Sequence, residues 1–175
     1  MVIGDMVLEQ PSLNDVEAIW QMFSDAKALM KEMAIEQWQG DYPSAQTPVD
    51  DITNGENCFV VRDGKDVLGY AVLCFKYESL YGSFKGKWQC DERPYGTVRR
   101  IVTCQREKRH GVATFIMQNF IQMCVERGVK SLRTYTHANN APMRGLAEKL
   151  GFTYVGNMYL ACGAERVTYE KLIDV

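Results

Sequence analysis

Between Thr97 and Thr136 the sequence writes a strand, an amphipathic helix and a second strand in unbroken succession. Two strands joined through a helical crossover must lie parallel, because a tight turn joins only antiparallel neighbours. The helix is marked by Val112, Ala113, Ile116, Met117, Phe120, Ile121 and Cys124 at three-and-four spacing, with Thr114, Gln118, Gln122 and Glu126 on the opposite face. Arg127-Gly128 stops it. The runs 97–103 and 129–136, rich in β-branched residues, supply the two strands.

The rest of the chain builds antiparallel structure around that unit. Met6 to Gln10 reads as a short strand, and Pro11 to Asp15 offers turn and capping residues for a helix over 16–33 that carries Ile19, Trp20, Phe23 and Ala26 as its apolar stripe. Runs at 58–62 and 67–75, separated by Asp63-Gly64-Lys65-Asp66, predict a hairpin. Asn140 is placed to cap a helix with Pro142 in its first turn and Gly151 at its end, followed by strands at 152–160 and 165–171. Two stretches, 34–55 and 77–95, hold aromatics, prolines and acids without a sustained period; the first reads as irregular and partly helical, the second as irregular. The order β, α, β, β, β, α, β, α, β, β predicts one α/β domain, layered in the α+β manner, over 1–175 with a mixed sheet.

A chain of 175 residues buries about 70% of its unfolded surface, so neither metal nor disulfide is needed for stability. The net charge of −2 argues against a protein that coats nucleic acid or an anionic membrane. Six cysteines stand singly, with no C-x-x-C pair and only His110 and His137 to complete a metal site. They read as reduced, buried thiols, with no metal and a cytoplasmic setting. No window approaches the ~18 apolar residues of a membrane span, and the first residues lack a secretory pattern.

Lys108 to Phe115, KRHGVATF, sets basic residues and a Gly-x-Ala step before the central helix. The first-turn amides of such a helix gather about half a positive charge. Gly111 and Ala113 would let backbone approach an anion, with Arg106, Lys108 and Arg109 as counter-charge. A solvated helix start accounts for the same residues, and both readings stand on pattern alone. The nucleoside-triphosphate and dinucleotide glycine motifs are absent.

The motif resembles the pyrophosphate loop of the GNAT acyltransferases, Arg/Gln-x-x-Gly-x-Gly/Ala, matched by Lys108-x-x-Gly111-x-Ala113 behind the strand 97–103. Lysine at the first position departs from that pattern, which bears on a bidentate side-chain contact more than on the backbone cradle. Asn140 leading a helix that closes on Gly151-Phe152 resembles the family's second signature. Gln37-Trp38, Tyr42-Pro43, Thr136-His137 and Glu165-Arg166 are similar to a bacterial subgroup of small-molecule and peptide acetyltransferases.

The resemblance implies a mixed, mostly antiparallel central sheet flanked by helices, with a splayed parallel pair at the site of acetyl-coenzyme A. It implies that Ile101, Val102 and Thr103 hold the pantetheine arm, the amide near Val102 facing the thioester oxygen. Lys108, Arg109, His110, Gly111, Val112, Ala113 and Thr114 would hold the pyrophosphate, with His137, Asn140, Met143 and Leu146 completing the cofactor site. The acceptor would be a primary amine of a small molecule or peptide. Glu78 is the first candidate for its general base and His137 the second. Trp38, Tyr42, Glu78, Tyr81 and Arg100 are candidate acceptor contacts. Arg99 and Arg100 alternate on their strand, so one of them should point inward, toward a carboxylate on the substrate or an internal acid, and buried pairing with an acid is the safer expectation. Ala147 stands where the family often has a tyrosine as general acid, which motivates a second reading, a coenzyme A sensor without turnover. A nucleic-acid module built on Arg99, Arg100, Arg106, Lys108 and Arg109 is disfavoured by the net charge. Homodimers are common in the family.

Overall fold

The hairpin forms where the turn residues place it: Cys58–Asp63 (β2) and Asp66–Cys74 (β3) pair antiparallel, with Asp63 opposite Asp66. The computed structural model describes residues 5–105 and 111–175, so Lys108, Arg109 and His110 lie outside the described residues. The remaining strands are Val7–Glu9 (β1), Lys85–Gly86 (β4), Gly96–Thr103 (β5), Ser131–Thr136 (β6), Thr153–Tyr159 (β7) and Glu165–Leu172 (β8). They join one mixed sheet in the order β1-β2-β3-β5-β6-β8-β7-β4. Among the described residues four α-helices accompany them: Val16–Glu32 (α1), Gln46–Thr53 (α2), Val112–Glu126 (α3) and Ala141–Lys149 (α4). The expected parallel pair is β5 with β6, which registers Gly96 opposite Leu132 and Thr97 opposite Arg133. The fold is thus α/β with a mixed sheet.

Inside the stretches without a sustained period lie helix α2, in the stretch expected to be partly helical, a 3-10 turn over Ser79–Ser83 and strand β4. Helix α2 buries only Pro48 and Asp51, so it carries no apolar stripe for a 3.6-residue period to reveal. Strand β4 is two exposed residues long, below the length at which alternation can be seen.

Contacts divide the chain into two compact units: one reaches to Leu73 and resumes over Arg99–Asn119, the other takes Cys74–Val98 and Phe120–Val175. In the first, α1 begins behind a capping box in which Asn14 N–H donates to Ser12 Oγ and Ser12 N–H to Asp15. It ends in a left-handed Ala34, with Ile35 N–H returning to the Met30 carbonyl at 2.8 Å. Its buried stripe, Ile19, Met22, Phe23 and Ala26, packs on Cys58, Val60, Tyr70, Val72 and Val102. Met22 takes the inward position expected of Trp20, which is partly buried. Each fully buried side chain of this size contributes about 1.5–3 kcal/mol. Gly69 of β3 faces α3. A Cβ there would stand 2.8 Å from Val112 Cγ1 and 3.1 Å from Ile116 Cδ1, so only glycine admits the helix start at this distance.

The second unit has a polar interior. Glu170 of β8 is fully buried and accepts from the Ser131 hydroxyl at 2.6 Å and from the backbone amides of Gln89 and Cys90. Arg133 of β6 lies 3.6 Å from Glu170 and donates to the Cys90 carbonyl, with its guanidinium 3.7 Å from the Trp88 ring centre and 4.0 Å from that of Tyr95. These bonds hold the stretch around Trp88 to the sheet without regular structure of its own. The six cysteines are free thiols, and burial pushes that of Cys124 up to about 12.

Gly69→Ala is expected to cost about 1–3 kcal/mol, the range for overpacking a filled contact, by displacing Val112 at the first turn of α3. A chemical denaturation midpoint checks it; an unchanged midpoint would show that the helix start yields freely.

Candidate functional site

Strand β5 carries an irregularity at its centre: Arg100 has φ +52°. For a residue with a side chain that conformation costs about 1–2 kcal/mol, and it persists only where the surroundings enforce it. Here they do. Asp51 of α2, buried, takes the Arg100 guanidinium in a two-point pair, Nε to Oδ2 at 3.0 Å and Nη2 to Oδ1 at 2.6 Å. The same carboxylate accepts the hydroxyl of buried Tyr70 at 2.5 Å, while Arg100 Nη1 donates to the hydroxyl of exposed Tyr42 at 3.0 Å. Burial opposes the charge of Arg100, but Tyr42 and Asp51 outweigh it and hold the guanidinium above its ordinary value. Burial, reinforced by Asp51, likewise raises Tyr70. The inward arginine anticipated on this strand is therefore Arg100, and the acid it meets is internal.

The backbone beyond Arg100 follows from one bond. Cys104 N–H donates to the Leu68 carbonyl of β3 at 2.8 Å. Because amides alternate along a strand, the Val102 N–H turns toward β3 and those of Ile101 and Thr103 turn away from it. The residue whose amide succeeds the left-handed position is thus Ile101, one place before the Val102 amide on which the sequence reading centred. Val102 instead buries its side chain against α1.

Helix α3 starts at Val112 directly after Gly111, which has φ +105° and, among the described residues, nothing within 4 Å of where a Cβ would stand. Among the described residues its intrahelical bonding begins with Phe115 N–H to the Gly111 carbonyl at 2.8 Å, and the first-turn amides of a helix are those left for an outside acceptor. Backbone donors and open space coincide there, the arrangement that receives an anion.

In the second unit, Glu78 is buried rather than exposed, and its carboxylate accepts from Leu80 N–H at 3.2 Å. Its own N–H donates to the Tyr95 hydroxyl at 3.0 Å. Tyr81, also buried and raised by that burial, is bonded to the Thr97 hydroxyl at 3.4 Å and lies edge-on to Trp88 at 4.9 Å. Glu78 and Tyr81 thus share one aromatic cluster with Tyr95 and Tyr135. His137 Nδ1 accepts the Asn139 N–H at 3.0 Å, which orders the turn into α4. Asn140 caps that helix through Met143 N–H at 3.2 Å. Met143 and Leu146 are half-buried on it. Trp38 belongs to the α1 core, its ring 5.5 Å from that of Phe23. Asp51, Tyr70, Arg133 and Glu170 escaped the sequence reading. The paired acids Asp50-Asp51 were visible, but nothing in a stretch without period says which turns inward.

The family model described as the Acetyltransferase (GNAT) family matches residues 20–152. The chain belongs to the GNAT acetyltransferase family. A GNAT-family acetyltransferase from Streptococcus agalactiae shares 27% identity over 97% of this chain and 96% of its own, with a TM-score of 0.83. Two further structures share the fold at 16% identity and a TM-score of 0.64. One is a putative acetyltransferase from Salmonella typhimurium with its cofactor acetyl-CoA, over 97% of this chain and 94% of its own. The other is the ribosomal-protein-S18-alanine N-acetyltransferase of Escherichia coli, over 97% and 95%. No curated protein matches the chain.

In GNAT terms, the Gly-Phe signature has a local physical cause here. Gly151, at φ +79°, closes α4: Phe152 N–H returns to the Ala147 carbonyl and Gly151 N–H to that of Glu148, both at 3.0 Å. Ala147, which departs from the tyrosine common at that position, is 1% exposed and brings no hydroxyl. Among the described residues no three metal-ligating side chains come together, and no helix is long and apolar enough to cross a membrane.

The raised Tyr70 makes a prediction at alkaline pH. The folded protein keeps that proton above about pH 10, where an unfolded tyrosine releases it. The stability so contributed is complete below that pH and is lost as pH rises through the folded value. Stability measured by denaturation between neutral pH and pH 11 should fall beyond pH 10, and Tyr70→Phe should make the fall shallower; an equal slope would contradict the assignment.

Proposed function

We propose that the protein transfers the acetyl group of acetyl-coenzyme A to a primary amine of a small molecule or peptide, the amine attacking directly while both are bound. The observation that carries this reading is the backbone of β5, where the amides of Ile101 and Thr103 face away from β3 immediately after left-handed Arg100. The residues present fit the cofactor. An outward strand edge offers hydrogen bonds to the amides of a pantetheine arm, and no described residue crowds the missing Cβ of Gly111 at the head of α3, where a pyrophosphate would lie.

The residues that would hold it are Ile101 and Thr103 on the arm, with Val102 between them bonded toward β3, and Lys108 to Thr114 at the pyrophosphate. His137, Asn140, Met143 and Leu146 stand at the head of α4. When bound, acetyl-coenzyme A supplies an activated acetyl thioester. The Ile101 N–H is aimed to donate where negative charge develops on the acetyl oxygen, a contribution of about 3–4 kcal/mol per well-placed donor in comparable sites. Glu78 removes the amine's proton, directly or through water, from a buried carboxylate held by its bond with Leu80 N–H. His137 Nδ1 already accepts a backbone proton, which suits it to ordering the loop more than to acting as base. The aromatic cluster around Tyr81 offers an apolar wall to the acceptor. The GNAT structures with acetyl-CoA and with an alanine N-acetyltransferase activity support the cofactor and amine chemistry by analogy of fold alone.

The sensor reading keeps one observation in its favour: the buried methyl of Ala147 in place of an acid for the departing thiolate. Free-thiol release across a panel of amines separates the two. Release above the rate of hydrolysis with any amine supports the enzyme, and binding without release supports the sensor. Gly111→Glu should eliminate the acetyl-coenzyme A thermal shift while leaving the melting transition of the free protein cooperative. Glu78→Gln should lower turnover by about 10²-fold or more with coenzyme A affinity unchanged; undiminished turnover would remove Glu78 from the mechanism.

A further inference from the structure

The Asp51 carboxylate does more than neutralise a buried cation. A buried ion pair contributes little net stability compared with apolar packing, yet α2 buries only Pro48 and this acid. All three guanidinium nitrogens of Arg100 are engaged, Nε and Nη2 by Asp51 and Nη1 by Tyr42, and Tyr70 fixes the carboxylate from a further side. Arg100 is the residue with φ +52°, and the peptide that follows it carries the Ile101 N–H. Rotation at Arg100 to an ordinary strand conformation would redirect that N–H. The two-point pair resists the rotation because the guanidinium fork and the carboxylate are both planar and meet in one orientation.

We propose that Asp51 is a positioning residue for acetyl transfer: through Arg100 it holds β5 in the left-handed conformation that aims the Ile101 amide at the acetyl oxygen. This rests on the acetyl-coenzyme A reading above. It assigns Arg100 to the donor side of the reaction, as a backbone director, in place of a contact to the acceptor. Its consequence is selective, since the Gly111 cradle and the Thr103 amide are separate points of attachment that Asp51 does not touch.

The test is difference infrared spectroscopy of acetyl-coenzyme A labelled with carbon-13 at the acetyl carbonyl, with affinity measured by calorimetry on the same samples. Wild-type protein should lower the carbonyl stretching frequency relative to the ligand in water. Asp51→Asn, which keeps the shape but loses the charge-assisted pair, should return the band toward the free value with affinity retained. Asp51→Asn combined with Arg100→Gly should lower the band again, because glycine adopts the left-handed conformation without a partner. A melting temperature alone would report the structural loss and not this band. Should Asp51→Asn fail to fold, Arg100→Lys, which keeps the charge and loses the fork, takes its place with the same expected band. Tight binding with a band that neither variant moves, or a double variant that stays at the displaced frequency, overturns the proposal alone. Absence of acetyl-coenzyme A binding to the wild type overturns the acetyl-transfer reading, and the role of Asp51 with it.

Discussion

The pairing of Asp51 with Arg100 holds together features that would otherwise conflict. A left-handed arginine in the middle of a strand is unfavourable by itself, and a buried carboxylate is more so. Together with Tyr70 and Tyr42 they satisfy one another. The result is a strand whose first residues pair with β6, whose last residue before the turn is followed by Cys104 bonded to β3, and whose middle changes course. On either side of this point the packing is ordinary: α1 covers Val102 and Tyr70, and α3 closes on Gly69.

Much of this was legible because it is periodic. The α3 stripe from Val112 to Cys124 and the order strand-helix-strand required the parallel pair, and the turn at Asp63 to Asp66 required the hairpin. The caps at Asn140 and Gly151 were readable because capping is a local matter of one side chain or one backbone conformation. What stayed hidden depends on contacts distant in sequence. Asp51 and Arg100 are far apart along the chain, and no local rule says that an acid in a stripe-less helix will meet a strand. Glu170 and Arg133 were hidden for the same reason: strands show which residues alternate inward, not which buried charges find one another.

The two irregular stretches differ in how they are held. Residues around Trp88 are fastened by charged and backbone groups, with Glu170 accepting from Gln89 and Cys90 and Arg133 lying against the rings. The stretch from Ala34 to Pro43 is fastened by Trp38 against Phe23 and by Lys27, which donates to the Gly40 and Pro43 carbonyls. Neither has the repeating pattern of a helix or strand, yet each is tied down by specific contacts. Trp38, a candidate acceptor contact on its aromatic content, is partly buried and packs its ring on Phe23.

The proposed cofactor contact depends on which amides of β5 are available to a ligand, and backbone nuclear magnetic resonance of the labelled protein reads that directly. On addition of acetyl-coenzyme A, the amide resonances of Ile101 and Thr103 should shift and gain protection from exchange, together with those at the start of α3, while Val102, turned toward β3, stays as it was. A change centred on Val102, with Ile101 and Thr103 unaffected, would contradict it.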